Sequence, residues 1–190
     1  MLDFSPVARR EKALADLAEG LTPGELHALT DEMIDTMLSI IAGANDADVV
    51  FVPHDPHAHD SGASEEEATM AWTLGHVVVH TTAGSEEAAA VAAWLARGVH
   101  FEGRSHAETH WTTIRSIEQV RARLEESRRM RHAFLNAWPD EPRLDLIVTP
   151  VPIFGPMNAV ARFLFGLFHE DGHLDQLREI MRQARAARGA

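Results

Sequence analysis

Four long stretches of helical hydrophobic periodicity constrain this chain more than any other feature of its sequence. In each stretch, apolar residues recur three or four positions apart, which is the spacing of one helix face. The stretches begin after Thr22, after Ser64 or Thr73, after Ser116 and after Gly155. Because each helix has a single apolar stripe to bury, the economical packing is a bundle. We predict an all-α fold, a four-helix bundle with a short extra N-terminal helix.

Capping residues predict where these helices begin and end. Thr22–Glu25 and Ser64–Glu67 are capping boxes, in which the first side chain accepts an amide and the acid three residues later reaches back. A start at Thr73 is the alternative for the second long helix. Gly155-Pro156 opens the last helix, which extends to about Arg185. The remaining boundaries are Ser5-Pro6 to Gly20 for the short helix, and Ser116-x-x-Gln119 to Pro139 for the third long one.

Long loops separate the predicted helices. Segments 46–63, 98–111 and 140–155 interrupt the helical periodicity with prolines, glycines and polar residues. Loops of this length exceed what a minimal up-down bundle needs, so we expect crossover connections. Only Val49–Val52 and Leu146–Val151 have the pattern of an extended strand. No repeat or low-complexity linker divides the chain, which predicts one domain over residues 1–190.

The charge of the chain argues against nucleic acid as a partner. Lys and Arg total 17 against 29 Asp and Glu, a formal net charge of -12. Binding to a phosphate backbone depends on clustered Lys and Arg, so we expect no nucleic-acid partner. The arginines of segment 121–131 alternate with Glu125 and Glu126, a pattern typical of a solvated helix face.

The absence of cysteine excludes disulfides, thiolate metal ligands and a cysteine nucleophile. The first residues contain no apolar core of a signal peptide, and no run of about 18 apolar residues occurs. These features predict a cytoplasmic protein without a membrane partner. Histidine is the compositional exception, with twelve residues.

Two pairs of histidines on apolar helix faces are the candidate metal ligands. His169 and His173 fall about 40° apart on a helical projection, at the edge of the apolar arc of the last helix. His76 and His80 have the same spacing in the second helix. Imidazoles at positions i and i+4 bind one ion from a single helix face. Three histidines with a water would make an open catalytic zinc site, whereas four would make a closed structural site.

Further candidates are one glutamate and two sets of loop histidines. Glu170, beside His169, is a candidate general base, with a salt bridge as the alternative role. The segment HEDGH fits the zinc-protease pattern HExxH only formally, because no suitable third ligand follows His173. The loop histidines are His54, His57 and His59 in the first loop, and His100, His106 and His110 in the second. We expect both sets to be solvated, and the first set is the rival metal site.

Two motifs resemble those of the DinB/YfiT-like superfamily of metal-binding four-helix bundles. The segment WTLGHVVVH resembles the family's start of the second helix, with the ligand histidine eight residues after Trp72, at His80. The segment HEDGHLDQL resembles the family's last-helix pattern HxxxHxxQI, which implies ligands at His169 and His173 and matches Gln176. The resemblance covers the chain roughly from residue 25 to 185. Because His76 is not the usual ligand position, it is a possible fourth ligand, an outer group or a substrate contact.

The resemblance implies a fold and a metal more than a reaction. The ion would be divalent, with zinc the first expectation and Ni, Fe or Mn as alternatives. Some members resemble transferases that join a low-molecular-weight thiol to an electrophile, and others are described as metal-dependent hydrolases. We therefore expect a metal-dependent S-transferase or hydrolase with a small-molecule substrate. In such an enzyme Gln176 would orient a ligand or a helix neighbour. The alternative is a non-catalytic stress-response bundle that binds a metal or small ligand.

The apolar content of the C-terminal half also predicts self-association. Segment Ile147–Phe154 and the phenylalanines of the last helix are more than one side of a helix can bury. Phe165 and Phe168 lie away from the arc that contains Leu174 and Leu177. We predict a homodimer through part of this surface, with burial under segment 140–155 as the alternative.

Overall fold

The architecture is entirely helical over the part of the chain that the structure, a computed structural model, describes: residues 2–56, 58, 68–101 and 108–189. Within these ranges no strand occurs, which confirms the predicted all-α class. The α-helices are α1 (Ser5–Ala8), α2 (Leu14–Ala18), α3 (Pro23–Ile40), α4 (Asp46–Val49), α5 (Leu74–Ala96), α6 (Ile117–Asn136) and α7 (Ala159–Gly189). Two short 3-10 helices cover Trp111–Thr113 and Pro152–Phe154.

Side-chain caps determine where the long helices begin. At the start of α3, Thr22 Oγ1 accepts the Glu25 amide at 3.3 Å and Glu25 Oε2 accepts the Thr22 amide at 2.7 Å. The same reciprocal pair joins Ser116 and Gln119 at the start of α6. Helix α5 begins after Thr73, whose side chain accepts the His76 amide. The predicted cap at Ser64–Glu67 lies outside the described residues.

Two predictions for the N-terminal half are wrong. The expected single helix between Ser5 and Gly20 is two short helices, separated by a turn in which Arg10 has a φ of 60°. Val49–Val52 is not a strand, because α4 occupies Asp46–Val49. Its cap is Asn45, whose side chain accepts two amides of the first turn and so satisfies otherwise unpaired donors.

The predicted boundaries of the last helix are also wrong. Helix α7 begins at Ala159 instead of Gly155-Pro156, because Asn158 Oδ1 accepts the Ala161 amide at 3.0 Å. It continues to Gly189, beyond the predicted end at Arg185. Of the strand-like run before it, only Val148 takes part in β pairing, in a single antiparallel bridge with Met157.

The packing order explains the long loops. Helix α5 packs against α6 and α7, and α3 packs against the same two helices. The long helices α3 and α5 therefore stand at opposite corners of the bundle, as do α6 and α7. Because α6 and α7 are not neighbours, segment 137–158, which joins them, has to cross the bundle. Such a four-helix bundle with crossover connections is what the sequence predicted.

Helices α5 and α7 approach unusually closely beside the candidate site. A Cβ atom at Gly166 would stand 2.9 Å from the Cβ of Ala88 and from the Cα of Ser85, so that only glycine fits. Ser85 Oγ donates to the Gly166 carbonyl at 3.0 Å across the same contact. This close crossing brings the histidine-bearing faces of α5 and α7 together.

Candidate metal centre

Three of the predicted histidines converge between α5 and α7. His80 in α5 and His169 and His173 in α7 each offer one ring nitrogen, and these nitrogens lie within 4.8 Å of one another. His80 Nε2 and His169 Nε2 lie 3.1 Å apart. All three residues are partly buried. The helical spacing of His169 and His173 and the close crossing of the two helices together produce this cluster.

One neighbouring side chain orients His173, and a carboxylate lies near His80. Gln176 Oε1 lies 2.7 Å from His173 Nδ1, and an amide oxygen only accepts, so Nδ1 carries the proton and Nε2 keeps its lone pair. The sequence predicted that Gln176 orients a ligand or a helix neighbour, and here it orients His173. A hydrogen-bonded partner of this kind fixes the tautomer of a metal-binding histidine. Glu108 Oε2, which was not identified from the sequence, lies 3.8 Å from His80 Nδ1, beyond hydrogen-bond distance.

Gly84 makes room for the third imidazole. A Cβ at this position would stand 2.9 Å from His169 Nδ1 and 3.2 Å from its Cε1. The Nδ1 edge of His169 therefore faces the backbone of α5, while Nε2 faces His80. Gly84 lies one helical turn after His80, so both residues belong to the same face of α5.

His76 stands apart from the three-histidine cluster. Its ring lies between two indoles, 4.4 Å from Trp72 and 5.1 Å from Trp111 by ring centroids, and nearly parallel to both. The Trp72 ring also contacts His80 at 4.6 Å and His173 at 5.7 Å. His76 thus supports the tryptophan that covers the cluster.

Glu170, the candidate base, belongs to a buried ion pair. Arg131 Nη1 in α6 donates to Glu170 Oε2 at 2.7 Å, and the two side chains are 1% and 0% exposed. Burial raises the pKa of the Glu170 carboxyl, and the nearby Arg131 opposes that rise. Of its two sequence-predicted roles, the structure shows the salt bridge.

The arginines of α6 include one buried and one partly buried residue, Arg131 and Arg123, that the charge pattern did not predict. The expectation of a solvated face is wrong for Arg131 and for Arg123, which forms an ion pair with Glu86 of α5. Burial raises the pKa of Glu86, and Arg123 opposes the rise. Their partners lie on other helices, so the alternating local pattern contained no signal for this burial.

The loop histidines form no such cluster among the described residues. The His54 amide donates to Gln183 Oε1 at 2.8 Å, and His110 accepts an amide at the start of a 3-10 helix. The His100 side chain is exposed, as predicted. His57, His59 and His106 lie outside the described residues.

The cluster fits a divalent ion by its chemistry and by its dimensions. Zinc–nitrogen bonds of about 2.0–2.1 Å in a tetrahedral site place ligand nitrogens about 3.3 Å apart. The His80–His169 separation of 3.1 Å is close to that value, and the His173 nitrogen lies within 4.8 Å of both. The donor set is three imidazole nitrogens, which bind zinc and similar divalent ions in their neutral form.

Comparison with known proteins identifies one match. The family model described as the DinB superfamily matches residues 7–177. No curated protein and no solved structure matches the chain. Among the described helices, none combines the length and apolar character that crossing a bilayer requires.

Proposed function

The chain belongs to the DinB superfamily, and from this premise we propose that it is a metal-dependent enzyme. His80, His169 and His173 would hold one divalent ion, with zinc the first expectation and nickel, iron or manganese as alternatives. The favoured reaction is transfer of a low-molecular-weight thiol to an electrophile, and metal-dependent hydrolysis is the second candidate. The convergence of three imidazoles from two helices, one of them oriented by Gln176, is the observation that carries the proposal.

The position of His76 favours an open metal site. A closed four-nitrogen site would need a fourth histidine, but the His76 ring is held between Trp72 and Trp111. Three protein ligands leave a position for water or substrate, which is the arrangement of catalytic sites. This argues against the alternative, a non-catalytic binding bundle with a filled coordination shell.

The chain's own residues have defined tasks in this proposal. A bound divalent ion would supply Lewis acidity, which favours the thiolate form of a thiol or lowers the pKa of a water to about 7. Gln176 holds the proton of His173 on Nδ1, and Glu108 faces Nδ1 of His80. Glu170 is paired with Arg131, so the carboxylate that the described residues place nearest to the cluster is Glu108, 3.8 Å from His80 Nδ1. Trp72 covers the cluster and limits the access of water.

Metal content tests the proposed ligand set. Elemental analysis of the purified protein should find one divalent ion per chain, and His80→Ala, His169→Ala and His173→Ala should each abolish stoichiometric metal. The helices should remain, as circular dichroism would show, because the core is apolar. His76→Ala is the matched control from the same helix and should retain metal. If His80→Ala and His173→Ala both retain full metal, the site is misplaced and His54, His57 and His59 must be tested.

Activity and pH test the reaction. Thiol transfer to a model electrophile should require the metal and disappear after chelation, while retained activity in the chelated protein would exclude metal-dependent catalysis. Because the neutral imidazole is the ligand, metal affinity should fall below pH of about 6, where histidine becomes protonated. Titration with metal at two pH values measures this directly.

A further inference from the structure

A second pair of histidines meets between α3 and α6, on helices that supply nothing to the three-histidine cluster. His27 Nδ1 and His132 Nδ1 lie 2.5 Å apart, and the two rings are within 17° of parallel. Both side chains are partly buried. The two residues are 105 positions apart in the chain, so the packing of α3 against α6 brings them together.

The outer nitrogen of His132 is held by a carboxylate. Asp31 Oδ1 lies 2.9 Å from His132 Nε2 and 3.0 Å from Arg128 Nη1. A carboxylate beside an arginine is ionised and only accepts, so Nε2 carries the ring proton and Nδ1 keeps its lone pair. A histidine that donates its outer proton to a carboxylate is the usual arrangement in metal sites. On the other side of the pair, the Asn136 side chain hydrogen-bonds to His27.

The contact between the two rings has two physical explanations. His132 Nδ1 can only accept at this contact, so the second ring either donates a proton to it or shares a bound cation with it. Zinc–nitrogen bonds of about 2.0–2.1 Å hold two ligand nitrogens about 3 Å apart, so an ion would widen the contact by less than about 1 Å. The surroundings distinguish a site suited to a cation from one that is not.

The charge beside the pair is negative. Arg128 forms ion pairs with three carboxylates, those of Asp31, Asp35 and Glu125. Among the described residues, no other Lys or Arg pairs with these carboxylates, so one positive charge stands against three negative ones. An excess of negative charge within a few ångströms favours a cation at His132.

We propose that His27 and His132 form a second divalent metal site, which links α3 to α6 and is completed by water. Neutral imidazoles suit zinc, nickel and copper. Asp31 would orient the His132 ring and would not itself be a ligand. With two protein ligands in place of three, this site fills at a higher metal concentration than the three-histidine cluster, and it does not depend on the reaction proposed there.

Thermal unfolding with added nickel(II) tests the second site. The full chain carrying His80→Ala and His173→Ala provides the background, because it leaves one histidine of the three-histidine cluster. Nickel should raise the thermal midpoint of this protein, since an ion that binds the folded chain stabilises it. Adding His27→Asn should remove most of the rise. Each protein is compared with its own metal-free midpoint, so a loss of stability from the substitution itself does not affect the result.

Two matched variants in the same background separate this site from other effects. Asp31→Asn should weaken nickel binding by about 10–100-fold in isothermal titration, because the carboxylate that orients His132 is lost. Asp35→Asn removes a carboxylate that pairs with the same Arg128, and it should keep the affinity. His100→Ala removes an exposed loop histidine and should keep the full rise in the midpoint.

Each outcome decides the proposal. If nickel does not raise the midpoint of the background protein, the proposal is overturned and the three-histidine cluster is unaffected. A rise that persists in His27→Asn, or that falls equally in His100→Ala, would show adventitious binding to surface histidines and would also overturn it. A wild type that binds metal only through His27 and His132 would support the second site and contradict the proposed function alone.

Discussion

Gly84 of α5 lies directly against the imidazole of His169 in α7, with space for a hydrogen atom but not for a methyl group. A Cβ at position 84 would stand 2.9 Å from His169 Nδ1, closer than packed atoms approach. The atom it would meet is the end of a rotatable side chain, so the imidazole can turn away at little cost to the fold. The site geometry, more than the stability of the bundle, therefore depends on this glycine.

We predict that Gly84→Ala uncouples stability from metal binding. The thermal midpoint should stay the same or rise, because alanine is a better helix former by up to about 1 kcal/mol. Metal affinity should fall by about 10–100-fold, since His169 is displaced. Metal titration with thermal unfolding of the metal-free protein measures both quantities.

Gly172→Ala is the matched control for this prediction. Gly172 is also a helix-interior glycine next to a candidate ligand, but an added Cβ there meets no atom within 4 Å. Gly172→Ala should gain the same helix propensity and keep its metal affinity. Wild-type affinity in Gly84→Ala would show that the contact with His169 does not matter.

Gln176→Ala should weaken metal binding without removing a ligand. Loss of the acceptor 2.7 Å from His173 Nδ1 frees the ring to rotate and to change tautomer, which typically costs about 10–100-fold in affinity. Gln183→Ala is the control, because Gln183 lies in the same helix and bonds to the backbone of His54 instead. Isothermal titration with zinc compares the two variants, and equal affinities would contradict the orienting role.

The substitution Glu170→Gln should lower the free energy of unfolding and should leave the metal bound. Arg131 would be left buried without its counter-charge, which costs about 3–5 kcal/mol in comparable cases. Glu170→Leu combined with Arg131→Met should recover most of that loss, because neither charge then remains buried. Urea unfolding of the three proteins measures these differences. A Glu170→Gln protein with normal stability and no activity would restore Glu170 as the candidate base.

The junction between α3 and α6 should lose stability as the pH falls. His27 and His132 face each other through their Nδ1 atoms, and His132 Nε2 lies 2.9 Å from Asp31 Oδ1. Burial, and then the charge of His132, lowers the pKa of His27, while Asp31 opposes this. Since the folded state then binds fewer protons than the unfolded state, stability is full above the ordinary histidine pKa of about 6.5 and declines below it.

Comparison with His27→Asn isolates this contribution from other titrating groups. The variant should lose less stability than the wild type between neutral pH and about pH 5, measured by urea unfolding at each pH. Arg128 also reaches Asp31 at 3.0 Å and is unchanged in the comparison. Parallel pH profiles would contradict a contribution of His27 to the pH dependence.

We further predict a homodimer through the apolar surface beside the 3-10 helix Pro152–Phe154. The ring of Phe154 contacts Phe165 and Phe168, so these two phenylalanines of the last helix are partly covered. Ile147 and Ile153 nevertheless remain 47% and 55% exposed. Light scattering should find a dimer at micromolar concentration and a monomer for Ile153→Asp. Val99→Asp, at another exposed apolar position, should stay dimeric, and a monomeric wild type would contradict the prediction.

Locally encoded features were predictable from the sequence. The caps at Thr22 and Ser116 depend on residues three positions apart, so their signal is complete in a short window. Asn45, with Asp48 three positions later, carried the same kind of signal for α4, but the β-branched run after it was interpreted as a strand. The pairing of His169 with His173 likewise follows from helical periodicity alone.

The choice among equivalent positions needed more than periodicity. His76 and His80 share one helix face, so the spacing did not distinguish them, and only the resemblance favoured His80. In the folded protein, Trp72 and Trp111 enclose His76, while the glycine contacts between α5 and α7 bring His80 to His169. These contacts join residues far apart in the chain, so no local pattern contains them.

The four long helices, the caps at Thr22 and Ser116 and the spacing of the imidazoles could be predicted from the sequence, because each depends on neighbours within about two helical turns. Which imidazoles meet and which charges are buried depends on tertiary packing. In the sequence, Arg131 belongs to the same charged pattern as its solvated neighbours. It is buried because α7 places Glu170, 39 positions away in the chain, against it. Burial and ligand convergence depend on how helices cross, and crossing is set by the packing of whole faces rather than by any single segment.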